Sequence, residues 1–474
     1  MTANLPNVDL NQTVCAIATP RGRGGLGVVR LSGPRAIAIA DRIFRGQTKL
    51  SDAAGYTVHH GLVVDTDSNV EIDEVIATVF RSPKSFSGED LVEFSAHGGP
   101  VILDRILHIM TANGANLAGP GEFTLRAFLN GRIDLTEAEA VADLISAKTD
   151  ESAAAALKQL QGLLLEEVNE MRSRLLHVLA RLEIDVDFTE ENIEESEMSD
   201  LGTQLDELSN RIGQLLGGYQ RGRILRDGFT VVLAGPPNAG KSTLFNRLAR
   251  DERAIVTEIP GTTRDILREY INLNGWPVCI VDTAGMRETI DIVERIGVER
   301  TTAAVGAADG VIWLIDPSAD WTKQLPVNEI MEADIPTIVC LNKSDLVPDA
   351  DSLIRQIQTD IQAHKTNGEI RFIAMSAKTG EELESLLGVV SEWIARLGID
   401  SHEAEIAINE RHRAALVSAQ SSLASARSTL NSGGESELVA FDVQAAATSL
   451  GEIIGETTTD QVLGEIFGNF CIGK

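Results

Sequence analysis

The sequence predicts a multidomain protein of mixed α/β and α+β architecture, in which a doubly wound domain is inserted into a helical domain. Three observations support this. The chain has 474 residues, too many for one hydrophobic core and enough for about three domains. Strand-like and helix-like segments alternate from Phe229 to Leu397, as in a parallel sheet covered by helices. Helical periodicity dominates on both sides of that region.

The predicted domain boundaries lie where these patterns change. Residues 1–132 hold short β-like runs between Gly-rich turns, which favours an α+β domain. Residues 133–226 and 399–474 are expected to form one discontinuous helical domain around an α/β domain of residues 227–398. The β-like runs of the first domain are Val14–Ala18, Leu26–Leu31, Val75–Phe80 and Leu91–Ser95.

The helical zone carries a predicted helix start and a predicted buried face. Thr136 and Glu139 form a capping-box pattern, in which hydroxyl and carboxylate each satisfy a free backbone N–H. Apolar residues then recur at a spacing of 4-3-4-4-3, typical of a helix face that packs into a bundle core. These residues are Leu164, Val168, Met171, Leu175, Leu179 and Leu182.

Residues 235–242 form a complete G-x-x-x-x-G-K-[ST] loop between an apolar run and a helix-like stretch that opens at Thr243. Such a loop turns backbone N–H groups around phosphate, while Lys241 reaches the terminal phosphates and Ser242 offers a hydroxyl to Mg²⁺. The predicted phosphate-binding residues are Gly235, Asn238, Ala239, Gly240, Lys241, Ser242 and Thr243.

Two motifs downstream extend this site towards the metal and the base. The apolar run at 278–281 leads into Asp282-Thr283-Ala284-Gly285, where the Asp can hold a Mg²⁺-bound water and the Gly N–H can sense a γ-phosphate. The run at 337–341 leads into Asn342-Lys343-Ser344-Asp345. Asp345 can accept two hydrogen bonds that guanine donates and adenine cannot. We expect Asn342 to brace the loops and the Lys343 stem to lie on the base.

A fourth motif, Ser376-Ala377-Lys378, follows the apolar run at 371–375, and the Ala377 N–H is expected to face guanine O6. Four motifs in this order, each after a strand-like run, predict a Ras-like P-loop GTPase domain.

The residues around the motifs indicate an unusual catalyst. Ras-like enzymes have a glutamine after the D-x-x-G glycine, but this chain has Met286, which cannot orient water. Carboxylates follow within residues 287–300, Glu294 among them, and the Asn238 amide oxygen can coordinate a monovalent cation. Thr263 is the expected switch threonine for Mg²⁺. It lies in the segment Thr257, Glu258, Ile259, Pro260, Gly261, Thr262 and Thr263, which we assign to the GTP site.

Charge and composition limit the possible partners and compartments. The formal net charge of −29 disfavours nonspecific binding of polyanions. Residues 183–207 contain eleven Asp or Glu and no Lys or Arg, which indicates a solvated surface or a face for a partner. No membrane span or export signal is recognisable, so we expect a cytoplasmic protein. Three of the four cysteines lie in apolar runs and are expected to be core thiols.

Beyond these motifs, the chain resembles the bacterial tRNA modification GTPases of the MnmE (TrmE) family over essentially its whole length. The resemblance rests on long strings at 20–33 (PRGRGGLGVVRLSG), 85–100 (SFSGEDLVEFSAHGGP), 119–135 (GPGEFTLRAFLNGRIDL) and the terminal FCIGK at 470–474. It implies that K⁺ supplies the charge that an arginine finger gives elsewhere. The implied ligands are Asn238, Thr257, Ile259 and Thr262 for K⁺ and Ser242 and Thr263 for Mg²⁺, with Glu294 organising the water.

For the N-terminal domain, the resemblance implies a folate-binding-like fold that holds 5,10-methylene- or 5-formyl-tetrahydrofolate near a dimer interface. The matching residues are Arg30, Glu93, Arg132 and Lys474, although some relatives have Lys at the position of Arg132. From the residues alone, surface ion pairs explain these charges nearly as well. Cys471 is either a nucleophile activated by nearby cations or a thiol without chemistry.

The family resemblance also implies partners and a reaction. The family adds a carboxymethylaminomethyl group to C5 of the wobble uridine of tRNA, as a homodimer in a heterotetramer-like complex with the FAD-dependent protein MnmG (GidA). GTP hydrolysis is expected to move the G domains. One alternative is a regulatory GTPase of ribosome assembly, although the sequence after Ala395 has no basic RNA-binding appendage. Another is a folate-binding module with a vestigial G domain, which the intact nucleotide motifs disfavour.

Overall fold

The structure is a computed structural model, which describes residues 8–187, 195–251, 253–255, 267–282, 305–326, 334–362, 368–397, 406–468 and 470–474. Contacts divide the chain into two compact units. The first comprises Met1–Ala142, Gln159–Gly202 and Ser421–Lys474, and the second Asp143–Lys158 and Thr203–Gln420. Each unit contains one seven-stranded sheet.

The helices of both units are named here in chain order. They are α1 (Ala36–Ile43), α2 (Pro100–Ala112), α3 (Glu122–Leu129), α4 (Leu135–Ser146), α5 (Asp150–Leu160), α6 (Leu163–Asp187), α7 (Glu195–Gly217), α8 (Tyr219–Asp227), α9 (Lys241–Leu248), α10 (Ala350–Gln362), α11 (Leu383–Arg396), α12 (Glu410–Asn431), α13 (Ser436–Ile454) and α14 (Asp460–Gly468).

The sheet of the first unit is mainly antiparallel. Its strands are β1 (Val14–Ile17), β2 (Gly27–Ser32), β3 (Phe44–Gly46), β4 (Thr57–Val64), β5 (Glu71–Phe80), β6 (Leu91–Ala96) and β7 (Asn116–Leu117). They lie in the order β3-β4-β5-β6-β2-β1-β7, and only the β1–β7 pair is parallel. Val29 and Leu31 of β2 are fully buried while Arg30 between them is not, the alternation of a sheet with one face in the core. Three of the four predicted strands are confirmed with shifts of one residue at their ends, and the fourth, β5, begins four residues before the predicted Val75.

The last residues of the chain pack against the sheet of the first unit. Ile472 forms an antiparallel bridge with Pro120, and the Phe123 N–H donates to the Lys474 carbonyl at 3.2 Å. Gly473 has φ +100°, and a Cβ there would lie 2.5 Å from the Ile17 carbonyl oxygen, so only glycine fits. The terminal segment is therefore part of the fold of the first unit.

The first turn of α4 corrects the predicted capping box. Asp134 precedes the helix, and its Oδ1 accepts the Glu137 N–H at 2.9 Å while the Glu137 carboxylate accepts the Asp134 N–H at 2.9 Å. The reciprocal pair is thus Asp134 with Glu137, not Thr136 with Glu139. Thr136 lies inside the helix, where its hydroxyl donates to Asp134. Because Asp and Thr are both good N-caps, the local pattern alone did not fix the start.

The buried face of α6 also differs from the prediction at one position. It consists of Leu164, Val168, Met171, Leu175, Val178 and Leu182. Val178 replaces the predicted Leu179, which is only partly buried. The spacing becomes 4-3-4-3-4, a heptad repeat. The contacting helix α13 buries residues with the same alternation, namely Val439, Val443, Ala446, Leu450 and Ile453.

The second unit has the predicted doubly wound pattern. Its strands are β8 (Phe229–Ala234), β9 (Ala254–Ile255), β10 (Leu267–Leu273), β11 (Trp276–Asp282), β12 (Gly310–Ile315), β13 (Thr337–Leu341) and β14 (Ile370–Ala374). The order is β14-β13-β12-β8-β11-β10-β9, and β8 is parallel to both of its neighbours. Apolar side chains cover both faces of this sheet, as a parallel sheet between helices requires.

The structure bears on two expectations from composition, the burial of the cysteines and the membrane span. Cys15, Cys279 and Cys340 are buried, as predicted, and Cys471 is exposed. Burial raises the pKa of the Cys15 thiol to about 12, as expected of an unreactive core cysteine. Within the described ranges, every helix is too short or too polar to cross a membrane.

Candidate nucleotide-binding site

The four strands that directly precede the predicted motifs in the sequence belong to the second unit. β8 ends at Ala234, β11 at Asp282, β13 at Leu341 and β14 at Ala374. These strands belong to one parallel set, in which β8 separates β11 from β12. The carboxyl ends of parallel strands share one edge of a sheet, and ligands bind there where the strand order reverses.

The phosphate loop depends on residues with positive φ. Gly235, Asn238 and Gly240 have φ of +132°, +64° and +99°. A Cβ on Gly240 would lie 2.1 Å from Asn342 Nδ2, and one on Gly235 would lie 2.4 Å from the Leu314 carbonyl oxygen. Asn tolerates the left-handed region better than most residues, so Asn238 fits the exposed turn of this loop.

Lys241 and Ser242, at the start of α9, carry the polar groups of the loop. The Lys241 side chain is buried, and its Nζ donates to the carbonyls of Gly235 and Pro236 at 2.7 and 2.8 Å. Burial lowers the pKa of Lys241, and the charge of Asp282 opposes that shift. Ser242 Oγ donates to Asp282 Oδ2 at 2.9 Å. A hydroxyl and a carboxylate are thus together, and oxygen donors are what Mg²⁺ prefers.

Asn342 joins two loops, as expected from its place in the N-K-x-D motif. Its Nδ2 donates to the Ala239 carbonyl at 2.7 Å, and its Oδ1 accepts the Ala377 N–H at 2.9 Å. The second bond occupies the Ala377 amide, so the contact that we expect between this amide and guanine O6 stays a prediction. The next amide in the chain, that of Lys378, is a second candidate donor.

Lys343 and Asp345 belong to the motif that we expect to bind the base. The Lys343 ammonium pairs with Asp316, which follows β12. Burial alone would raise the pKa of Asp316, but hydrogen bonds from Lys343 and Ser318 outweigh it and lower the pKa. Asp345 is exposed on a 3₁₀ turn, Ser344–Leu346. Its carboxylate therefore lies in a position open to a ligand.

Several predicted site residues lie outside the described residues, and the structure says nothing about them. They are Thr257, Glu258, Ile259, Pro260, Gly261, Thr262, Thr263, Thr283, Ala284, Gly285 and Glu294, together with Met286.

In the first unit, three of the residues assigned to folate lie in one region. Arg30 pairs with Glu93 at 2.7 Å and donates to the Gly473 carbonyl at 3.2 Å. Its guanidinium lies over the rings of Phe86 and Phe123, 5.2 and 5.3 Å from their centroids. Burial, followed by the nearby Arg30 charge, lowers the pKa of Lys474.

The structure places the other two candidates of the first unit differently. Arg132 is exposed after α3; burial raises the pKa of the nearby Glu137 carboxyl, and the charge of Arg132 opposes that shift. Cys471 is exposed, and its carbonyl accepts the Gly121 N–H at 3.4 Å. The described contacts therefore bring Arg30, Glu93 and Lys474 together without Arg132.

Comparison with known families accounts for nearly the whole chain. Residues 13–132 match the family described as "GTP-binding protein TrmE N-terminus", and residues 135–471 match "MnmE helical domain". The chain belongs to the MnmE family.

Curated proteins named "tRNA modification GTPase MnmE" match the chain from end to end. The one from Acetivibrio thermocellus is 41% identical over 98% of this chain and 99% of its own length. Those from Carboxydothermus hydrogenoformans and Symbiobacterium thermophilum are 42% and 43% identical over 98% of this chain and 100% and 99% of their lengths. The resemblance, the multidomain fold class and the prediction of a GTP hydrolase that acts in tRNA modification are confirmed for this MnmE-family chain.

Sequence reasoning missed two residues that hold the nucleotide loops. Asp316 pairs with Lys343, and Arg247 of α9 donates to the carbonyls of Ala377 and Lys378 at 2.7 and 2.6 Å. Neither residue belongs to a motif. Both act across long stretches of sequence, so only the fold reveals them.

Proposed function

We propose that this chain is a K⁺-stimulated GTPase that acts with a flavoprotein partner to modify C5 of the wobble uridine of tRNA. Membership of the family makes it a GTP hydrolase that acts in tRNA modification. The observation that carries the proposal is that the four strands preceding the motifs end at one edge of a parallel sheet, where Ser242 donates to Asp282 and Asn342 joins two loops.

The described side chains suit the parts of GTP. Lys241 already lies among carbonyls of the phosphate loop, from which it can turn to the β- and γ-phosphates. Asp345 accepts hydrogen bonds from the guanine N1–H and 2-amino groups, and the Lys343 stem covers the base. Beside adenine, the Asp345 carboxylate would have no hydrogen-bond donors from the base. The site therefore binds guanine nucleotides more tightly than adenine nucleotides.

Two metal ions complete the proposed catalytic site. Ser242 and Thr263 would hold Mg²⁺, and the Ser242 hydroxyl beside the Asp282 carboxylate fits that ion. Asn238, Thr257, Ile259 and Thr262 would hold K⁺, and the exposed Asn238 amide in its left-handed turn is a suitable oxygen donor. When bound, the metals would supply positive charge against the phosphates. Since Met286 cannot orient water, Glu294 is proposed to do so.

The first unit is proposed to bind the one-carbon donor, 5,10-methylene- or 5-formyl-tetrahydrofolate. Glu93 suits the donor edge of a pterin, and Arg30, Arg132 and Lys474 suit the carboxylates of the glutamate tail. The observation that supports a polar ligand here is that Arg30, which pairs with Glu93 at 2.7 Å, also lowers the pKa of the nearby Lys474 after the larger effect of burial, so three charged groups lie together.

The proposed assembly is a homodimer through the N-terminal domain, joined by the FAD-dependent MnmG in a heterotetramer-like complex. GTP hydrolysis would drive rearrangement of the G domains and contribute no atoms to the modified base. The product is a carboxymethylaminomethyl group at C5 of the wobble uridine. Because tRNA and GTP are cytoplasmic substrates, the proposed location is the cytoplasm.

Replacement of K⁺ by Na⁺ tests the cation. GTP turnover by the wild-type protein should rise at least tenfold, an order-of-magnitude expectation for one added charge at the transition state, when K⁺ replaces Na⁺. Asn238→Ala should lose that stimulation. Asn246→Ala, which removes an exposed amide from α9 nearby, is the matched control and should keep it. Equal turnover of the wild-type protein in both salts would refute the potassium site.

A further inference from the structure

Arg247 connects the phosphate-loop helix to the loop of the Ser376-Ala377-Lys378 motif. It lies on α9, two turns after Lys241, and its guanidinium is half-buried. Nε donates to the Ala377 carbonyl at 2.7 Å, and one terminal nitrogen donates to the Lys378 carbonyl at 2.6 Å. Two donors of one rigid, planar group therefore grip two successive carbonyls.

The backbone beyond the motif leaves room for this contact. Gly380 has φ +91°, and a Cβ there would lie 2.7 Å from a terminal nitrogen of Arg247. A larger residue would be strained in this conformation and would push the guanidinium away. The glycine turn and the arginine thus depend on each other.

The hydrogen bond from Arg247 to the Ala377 carbonyl also fixes the direction of the Lys378 N–H, because both groups belong to the same peptide unit. The Ala377 carbonyl and the Lys378 N–H belong to one planar trans peptide, so they point in opposite directions. When Arg247 holds the carbonyl towards α9, the Lys378 N–H must point away from α9. The preceding amide, of Ala377, is fixed by Asn342 at 2.9 Å.

We propose that Arg247 is a positioning residue for guanine recognition, which holds the Lys378 amide in the direction needed to donate to guanine O6. Asn342 and Arg247 then clamp the motif loop from its two sides, one through an amide and the other through carbonyls. The proposal rests on the binding of guanine nucleotide at this site. It explains why a side chain outside every motif carries two short hydrogen bonds to the loop.

The test compares GDP with 2-aminopurine riboside 5′-diphosphate, which keeps the 2-amino group but has no oxygen at C6. Arg247→Ala should weaken GDP binding about tenfold, the loss typical of charge-assisted hydrogen bonds that fix a ligand contact. It should change the affinity for the 2-aminopurine nucleotide by less than about twofold, because the contact that it orients is absent there. Arg247→Lys, which cannot grip both carbonyls, should show an intermediate loss and provides a second variant if Arg247→Ala does not fold.

Arg250→Ala is the matched control, because it removes an exposed arginine just after the same helix and should change neither affinity. Equal losses for both nucleotides, or no loss for GDP, would overturn the proposal and leave Arg247 a general structural residue. If the wild-type protein binds both nucleotides equally, guanine recognition at this site fails, and that result is distinct from a failure of Arg247 alone.

Discussion

Single side chains hold the nucleotide site together by bonding backbone groups of neighbouring loops. Asn342 joins the Ala239 carbonyl to the Ala377 amide, and Lys241 rests on carbonyls of its own loop. A lost partner of a buried backbone group costs about 1–3 kcal/mol. The residues that shape the nucleotide site therefore also stabilise its loops, so a substitution that alters nucleotide specificity should also affect the order of the loops.

Asp345→Asn should change the base that the site accepts. The Asn amide can donate as well as accept, so it complements the 2-oxo group of xanthine and lacks the second acceptor for guanine. GDP affinity should fall by a factor on the order of 100, and XDP affinity should rise above it. Competition binding of the two nucleotides measures the change. Retention of wild-type GDP preference would exclude Asp345 as the base reader.

The Asp316–Lys343 pair should show a defined pH dependence. The pKa of Asp316 is lowered in the folded state, so its stabilising effect is fully present above the usual pKa of 3.8 and is lost as pH falls below it. Asp316→Asn should lower the free energy of unfolding by about 1 kcal/mol. This deficit should be constant from pH 7 to pH 5.

Tryptophan fluorescence during urea unfolding measures this effect selectively, because all four tryptophans lie in the second unit. They are Trp276, Trp313, Trp321 and Trp393. A deficit that already shrinks between pH 7 and pH 5 would contradict the lowered pKa of Asp316.

At the scale of elements, heptad packing stabilises the pair α6 and α13. Leu175 is fully buried in the seam, whereas its neighbour Leu176 is 49% exposed. Leu175→Ala should therefore cost about 2–5 kcal/mol, and Leu176→Ala should stay within about 0.5 kcal/mol of wild type. Urea unfolding followed by circular dichroism at the helix band compares the two. Similar costs for both variants would show that the seam is not where α6 is stabilised.

The sequence predicted elements well where a strong local pattern existed. The strand Thr337–Leu341 has the predicted ends, since it is a mainly apolar run directly before a motif. The prediction failed where two residues competed locally. Asp134 rather than Thr136 caps α4. Val178 rather than Leu179 faces the core, because a one-residue choice on a helix depends on the partner helix.

The candidate site could be predicted only in part for the same reason. The roles of motif residues such as Lys241 and Asp282 can be assigned from the local spacing of the motif alone. Arg247 and Asp316 act through contacts with residues 27 or more positions away, which no spacing reveals. The use of the Ala377 amide by Asn342 is likewise a tertiary contact.

At the scale of the whole molecule, charge limits how the chain can act on tRNA. The net charge of −29 opposes binding of a polyanion, and phosphate contacts need Lys and Arg. A more basic partner is therefore expected to make many of the contacts with the tRNA phosphates, as the proposed complex allows.

The domain boundaries after residues 132, 226 and 398 remain predictions.

The central claim, that GTP hydrolysis at the strand-end site serves modification of the wobble uridine, is tested most directly by nucleoside analysis of tRNA. A deletion strain should lack the carboxymethylaminomethyl nucleoside in mass spectra of digested tRNA. The wild-type gene should restore it, and Asp282→Asn, which removes the buried carboxylate beside Ser242, should not. An unchanged nucleoside profile in the deletion strain, or full restoration by Asp282→Asn, would contradict this account.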